Sequence, residues 1–288
     1  MMEILIDAGA TKTAFTLLYG KGRKPGTLTC DGINPNYTEQ SDILRVFAQF
    51  VRQYPESAHT DLVRYYGAGC ASPANRQRMT ELIAAFFPLA EVRVFSDLMA
   101  VCHALSDGGP CIAGILGTGA ASCLYDGKNI AKIAPSLGYM LGDEGSGTNM
   151  GKRLLTAYLN GSLPAALADR LQTEHGLTRQ SVIDRIYRQP APNAFMASFA
   201  PFLRQHLRYK FVHGLVLQAF EDFFASQKIH YPDAETLTWH FAGSVAFHFQ
   251  KVVREAAARQ CCRVGEIVDA PMPKLVENFT TSNHQKCT

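Results

Sequence analysis

Asp7 ends the apolar run Ile4-Leu5-Ile6 and opens a turn, Ala8-Gly9-Ala10-Thr11-Lys12-Thr13. Small residues at 8 to 10, Gly9 among them, let a ligand approach the backbone. Successive N–H groups in such a turn form an anion-binding concavity. Thr11 and Thr13 add hydroxyls and Lys12 a cation. A bare carboxylate at Asp7 would repel phosphate, and Mg²⁺ held by that carboxylate and by substrate phosphates removes the conflict. A decorated hairpin turn without a ligand is the plain structural alternative.

Two further Gly-rich turns follow the same logic. Gly117-Thr118-Gly119-Ala120-Ala121 leaves the buried-type strand Cys111–Leu116, and Gly243-Ser244-Val245-Ala246 joins a strand to a helix. Glycine there admits a phosphate or a planar ring, and a helix N-terminus favours negative charge. Ser244 could equally be a simple N-cap. Asp97 follows Val92-Arg93-Val94-Phe95 and starts a helix. It could be another cap, a role open to Ser96 too, or a carboxylate at the carboxyl end of a strand, where open α/β sheets bind ligands. A base placed against a hydroxyl in line with a γ-phosphate is what phosphoryl transfer requires. The run Gly138-Tyr139-Met140-Leu141-Gly142-Asp143-Glu144-Gly145-Ser146-Gly147 is the most specific. Glycines let it lie against a polyol whose hydroxyls Asp143 and Glu144 can bind; the alternative is a capped helix start.

The elements that must carry these residues alternate. Strands are expected at 4–6, 15–19, around 26–29, at 62–66 and 91–95, with helices over 41–53, 75–87 and from Asp97. The helix at 41–53 rests on the spacing of Ile43, Leu44, Val46, Phe47, Phe50 and Val51. The pattern then partly restarts: a strand at 111–116, a hairpin over 121–133, a mostly helical stretch from 150 to about 225, a strand at 238–242, a helix over 245–259 and a strand at 264–268. Two halves, each with a strand–turn–strand element rich in Gly and Thr, imply two similar domains facing one cleft. The expected division is 1–108 and 109–288, with a helical insertion in the second part and a frayed tail after about 277.

Composition narrows the function. A net charge of +3 over 288 residues, with only Lys21-Gly22-Arg23-Lys24 as a dense basic run, argues against a nucleic-acid partner. No apolar run reaches the ~20 residues that span a bilayer, and the N-terminus turns acidic too soon for a signal peptide. Eight cysteines without a Cys-x-x-Cys spacing are expected to be reduced thiols of a cytoplasmic protein.

In chain order, from residue 3 to about 275, these segments resemble the BadF-type ATPase and N-acetylglucosamine kinase family of the actin-like ATPase and sugar-kinase superfamily. Asp7–Thr13 looks like the first phosphate motif, Phe95-Ser96-Asp97 the catalytic aspartate segment, and Gly117-Thr118-Gly119 the second phosphate motif. Leu141–Ser146 looks like the sugar-site loop and Gly243-Ser244-Val245 the adenosine motif. The resemblance implies an α/β protein of two ribonuclease-H-like (actin-like ATPase) domains around a hinged cleft. It implies ATP-dependent phosphorylation of an amino sugar, at the 6-hydroxyl, by a homodimer. Asp97 would take the proton, Thr11 and Thr118 hold phosphates, Asp7 hold Mg²⁺ through water, and Asn36 with Asp143 fix the sugar. The sequence departs from the family at Ala8 and Ala10, where relatives often carry Gly or Ser, at Ala120 and Ala121, which replace Ser-Asn so that two side-chain donors are missing, and at Leu137, where mammalian relatives carry tryptophan. Two alternatives remain: an ATPase that activates an iron–sulfur reductase, for which Cys102, Cys111 and Cys123 lack the cluster context, and a non-catalytic sugar or nucleotide sensor.

Overall fold

The computed structural model describes residues 2–9, 11–19 and 23–285, so Ala10 and the Lys21-Gly22 part of the basic turn lie outside the described residues. The chain forms two compact units, Met1–Leu105 with Pro271–Thr288, and Ser106–Ala270.

The first unit is built on strands β1 (Glu3–Ala8), β2 (Lys12–Leu18), β3 (Gly26–Asp31), β4 (Leu62–Gly67) and β5 (Glu91–Ser96), in the sheet order β3-β2-β1-β4-β5. The first three form an antiparallel meander, while β1, β4 and β5 run parallel. Strand alternation puts Ile4, Ile6 and Ala8 on one face with Phe15, Leu17, Val63 and Tyr65. Helix α1 (Gln40–Gln53) covers that face with Ile43, Val46, Phe47 and Phe50, a stripe at helical spacing. Phe15 stacks on Phe50 at 4.6 Å between ring centroids. A 3-10 turn (Pro55–His59) and helix α2 (Pro73–Ala84) precede β4 and β5 respectively.

Helix α3 (Asp97–Leu105) packs with the C-terminal helix (Met272–Gln285) on the other face. Tyr66 Oη and His103 Nδ1 lie 2.9 Å apart and tie α3 to β4. Burial, with the Arg64 charge adding to it, pushes His103 down to about 4, so its ring is neutral near pH 7. Arg64 is ion-paired with Glu3 and lies 4.4 Å over the Phe279 ring.

The second unit repeats the topology: β6 (Cys111–Leu116), β7 (Ala120–Tyr125), β8 (Ile130–Ile133), β9 (Thr238–Ala242) and β10 (Arg263–Val268), in the order β10-β9-β6-β7-β8. Its antiparallel meander and parallel pair match those of the first unit, as the duplicated strand–turn–strand pattern implies. Helices α4 (Gly138–Leu141), α5 (Gly147–Leu159), α6 (Ala165–His175), α7 (Arg179–Tyr187), α8 (Pro192–Ala197), α9 (Ala200–Gln205) and α10 (Lys210–Lys228) lie between β8 and β9. Helices α11 (Ser244–His248) and α12 (Gln250–Arg259) join β9 to β10. Phe220, Phe223 and Phe224 of α10 pack around Trp239 and Phe241, forming the aromatic centre of this core. No described helix is long and apolar enough to cross a membrane.

The structure differs from the sequence reading at the C-terminus. Residues from Pro271 onward join the first unit rather than extending the second, and helix continues to Gln285 where a frayed tail is expected after 277. The reason is anchoring that apolar spacing does not reveal. Leu275 is fully buried, and Asn278 Nδ2 donates to the carbonyls of His103 and Ala104, each at 3.0 Å, which satisfies the end of α3. Leu275→Ala is therefore expected to lower the unfolding free energy by about 2–5 kcal/mol in urea titrations; an unchanged value would contradict this packing.

Candidate active site

In the first unit the register aligns Ala8, Gly67 and Ser96 across the three parallel strands. Their carboxyl ends therefore share one edge of the sheet, the edge at which open α/β sheets bind ligands. Asp7 stands one residue before that line and Asp97 one residue after it. Both residues are half-buried. Leu98 N–H donates to Asp97 Oδ1 at 2.9 Å. Burial raises the pKa of Asp97, and the N–H groups of Leu98 and Asp97 itself only partly offset this. Burial and then the negative charge of Asp97 push Asp7 up to about 6, with Lys12 opposing.

The β1–β2 turn is closed by Gly9 N–H donating to Lys12 O at 2.9 Å, and leaves Thr11 and Lys12 exposed at its tip. Thr13 departs from the expected phosphate site. It shares the face of Phe15 and Leu17, is fully buried, and its Oγ1 has no hydrogen-bond partner among the described residues. Strict alternation along β2 turns its hydroxyl to the side opposite Asp7.

Asn36 lies in a cluster of carboxamides that sequence reasoning finds only in part. Asn75 Nδ2 donates to Asn36 Oδ1 at 2.7 Å and to Gly69 O at 2.8 Å, while Asn36 N–H donates to Asn34 Oδ1 at 3.1 Å. With its oxygen engaged, the exposed Asn36 side chain offers Nδ2 as a donor. Gly69 has φ +79°, and a Cβ there would stand 2.4 Å from Asn34 Oδ1, so only glycine fits. Cys70 follows, and its thiol is pushed to about 12 by burial and then by the Asp97 charge. Asn75 lies behind the helix cap Ser72, and nothing in its spacing signals a role.

In the second unit the predicted loops are stitched together. Gly147 N–H donates to Gly117 O at 2.8 Å, and Thr148 donates to Thr118 O through N–H (3.2 Å) and Oγ1 (2.7 Å). Ala120 N–H donates to Asp143 Oδ1 at 3.3 Å, binding the acidic loop to the second Gly-rich turn. Asp143 has φ +57°, an unusual conformation that this contact helps to hold. Burial raises its pKa, Ala120 N–H lowers it, Glu144 raises it and Lys152 lowers it. Gly243 has φ +115°, and a Cβ would approach Leu116 O to 2.4 Å. This glycine lets the β9–α11 turn lie directly against the end of β6.

A cavity of about 340 Å³ opens between Gly117 and Thr118, Ser244 and Val245, and the helices carrying Pro201, Arg204, His248 and Phe249. Its size is in the range of small-ligand pockets. The α8–α9 wall comes from a helical stretch without a motif, so sequence reasoning misses Arg204. Gly138 (φ +68°) starts α4, which leaves Leu137, Met140 and Leu141 exposed. Glu144 lines a smaller cavity of about 90 Å³ with Asp143, Gly142 and residues of α10.

Among the described residues the thiols do not form a cluster site. Among the described residues no group of three or more His, Cys, Asp or Glu is placed to hold a metal ion. Cys102 lies in the first unit, whereas Cys111 and Cys123 are buried in the second. Burial pushes Cys111 to about 11, leaving it protonated rather than a thiolate ligand.

No family model matches the chain, and no curated protein sequence is significantly similar to it. Solved structures are similar to it. A candidate N-acetylglucosamine kinase from Porphyromonas gingivalis is 33% identical over 98% of this chain and 100% of its own, with a TM-score of 0.91. A second, from Chromobacterium violaceum, is 20% identical over 96% of this chain and 98% of its own, with a TM-score of 0.70. A ROK hexokinase from Thermus thermophilus, 12% identical over 96% of this chain and 98% of its own, shares the fold at a TM-score of 0.53. With a full-length relative at this level of identity, the chain belongs to the N-acetylglucosamine kinase family of the actin-like ATPase and sugar-kinase superfamily.

Proposed function

We propose that the protein transfers the γ-phosphoryl group of ATP to the 6-hydroxyl of an amino sugar of the N-acetylglucosamine type. The observation that carries this reading is Asp97: a carboxylate of raised basicity at the carboxyl edge of the parallel strands. As the sugar oxygen bonds to phosphorus, the bond from phosphorus to the β,γ-bridging oxygen breaks and ADP leaves with that electron pair. The hydroxyl proton goes to Asp97. A raised carboxylate pKa brings the base closer to working pH, which favours that transfer.

The 340 Å³ cavity of the second unit, lined by Thr118, Ser244 and the cation Arg204, is the place for ATP in this reading. The N–H of Gly117 is already donated to Gly119 O at 3.0 Å, so it is not a phosphate donor. In the first unit Thr11 and Lys12 at the exposed turn tip are the groups for phosphate. Asn36 Nδ2 and the Asp143–Glu144 pair are the groups for sugar hydroxyls. The alanines at 8, 120 and 121 remove side chains but not backbone N–H groups. A cytoplasmic homodimer belongs to this reading on the resemblance alone.

Mg²⁺ suits the first unit. Asp7 carries a proton more tightly than an ordinary aspartate, first because it is buried and then because of the Asp97 charge, with Lys12 opposing. A divalent ion on Asp7, completed by water and phosphate oxygens, would neutralise this excess and shield the transferring phosphoryl group.

Two outcomes follow. Asp97→Asn is expected to lower kcat by about 10²–10⁴-fold, with the sugar Kd changed by less than about threefold; equal turnover in a coupled ADP-release assay would contradict the assignment. For Asp7 the folded-state pKa lies above the ordinary value of about 3.9. Its stabilising contribution is therefore complete below that value and is lost as pH rises through about 6. Bound Mg²⁺ favours the ionised form, so Mg²⁺ is expected to raise Tm at pH 7.5 and have little effect at pH 5. Asp7→Asn should remove the difference; an Mg²⁺ response in that variant equal to wild type would contradict the site.

A further inference from the structure

The larger cavity of the second unit has two walls that lie far apart in the sequence. One is the Gly117–Thr118 turn; the other is α8–α9, through Ala197, Ser198, Pro201 and Arg204. Phe199, Phe202 and Leu203 of that second wall turn into the core, which leaves Arg204 on the cavity side. The start of α5 joins the two walls.

The joint is made at backbone distance. Gly151 of α5 lies so close to α8 that a Cβ would stand 1.8 Å from Met196 O. One turn earlier on the same helix face, Thr148 is fully buried. Its Oγ1 lies 2.7 Å from Thr118 O and 3.1 Å from Asn193 O. A threonine hydroxyl has one proton to donate, and here a carbonyl from each wall shares it. The Thr148 N–H also donates to Thr118 O, at 3.2 Å, so the turn is held twice. The α8–α9 wall is held to α5 by the hydroxyl and by the fit at Gly151. Loss of the hydroxyl therefore loosens the wall before it loosens the turn.

We infer that Thr148 is a positioning residue for the nucleotide. By bonding both walls it sets the distance from Arg204 to the Gly117–Thr118 turn, and with it the fit to phosphate. The inference deepens the kinase reading and rests on its placing of ATP in this cavity. Arg204 keeps its charge at any working pH and pairs well with phosphate oxygens. A displaced wall should therefore weaken a nucleotide that carries phosphate and spare the nucleoside.

The test is calorimetric binding of ADP, adenosine and N-acetylglucosamine. Thr148→Val, which keeps the shape but loses the hydroxyl, should raise the ADP Kd about 5–30-fold. The Kd values for adenosine and for N-acetylglucosamine should change by less than about twofold. Thr148→Ser keeps the hydroxyl and should bind ADP within about threefold of wild type. Arg204→Gln should also weaken ADP. Combined with Thr148→Val it should bind no more than about twofold worse than the weaker single variant, because residues acting through one contact are not additive. Should Thr148→Val fail to fold, Thr148→Ala carries the same comparisons. Unchanged ADP binding, equal losses in Thr148→Ser and Thr148→Val, or losses that multiply in the double variant would overturn the inference and leave the kinase reading intact. A folded wild-type protein that binds neither ADP nor ATP would overturn both.

Discussion

Asp7 and Asp97 repel each other, and the first unit is built so that they cannot move apart. Asp7 is fixed within β1 by partners on both sides, and Asp97 is fixed where β5 passes into α3. Burial first, and then the charge of Asp97, raise Asp7 to about 6, together on the order of 3 kcal/mol against ionisation at neutral pH. Either a proton or a cation relieves that cost. Phosphoryl transfer brings a cation with its nucleotide, so the repulsion suits a site that is completed by substrate. The rest of the unit maintains the placement: Tyr66 and His103 hold α3 to β4, and Asn278 closes the end of α3.

The second unit uses the same strand order for a different purpose. Its first hairpin turn carries no carboxylate but is held from behind by the start of α5 and from the side by Asp143. A turn fixed in this way is preorganised for an anionic ligand and loses little freedom when one binds. Gly243 completes the arrangement, since any side chain there would strike the end of β6. One topology thus carries a carboxylate at the strand edge in one copy and a cavity beside the Gly-rich turns in the other.

Much of this was legible in the sequence because the decisive residues lie at element ends. Strand, turn and glycine signals coincide at Asp7–Thr13, at Gly117–Gly119 and at Gly243, and Asp97 begins the helix it was expected to begin. What was not legible depends on contacts distant in sequence. The C-terminal helix is held by Leu275 and Asn278 rather than by a continuous apolar stripe. Asn75 matters only because α2 brings it to Gly69, and Arg204 only because α9 borders the larger cavity. Thr13 shows the opposite failure: its residue type suited phosphate, but the parity of β2 turned it into the core.

The central claim is that the γ-phosphoryl group reaches a sugar hydroxyl rather than water. Phosphorus NMR of wild-type protein with ATP, Mg²⁺ and N-acetylglucosamine tests this most directly. A 6-phosphate monoester resonance is expected to grow in equal amount with ADP, with little inorganic phosphate. ADP accompanied by inorganic phosphate and no ester, in the presence of the sugar, would contradict it.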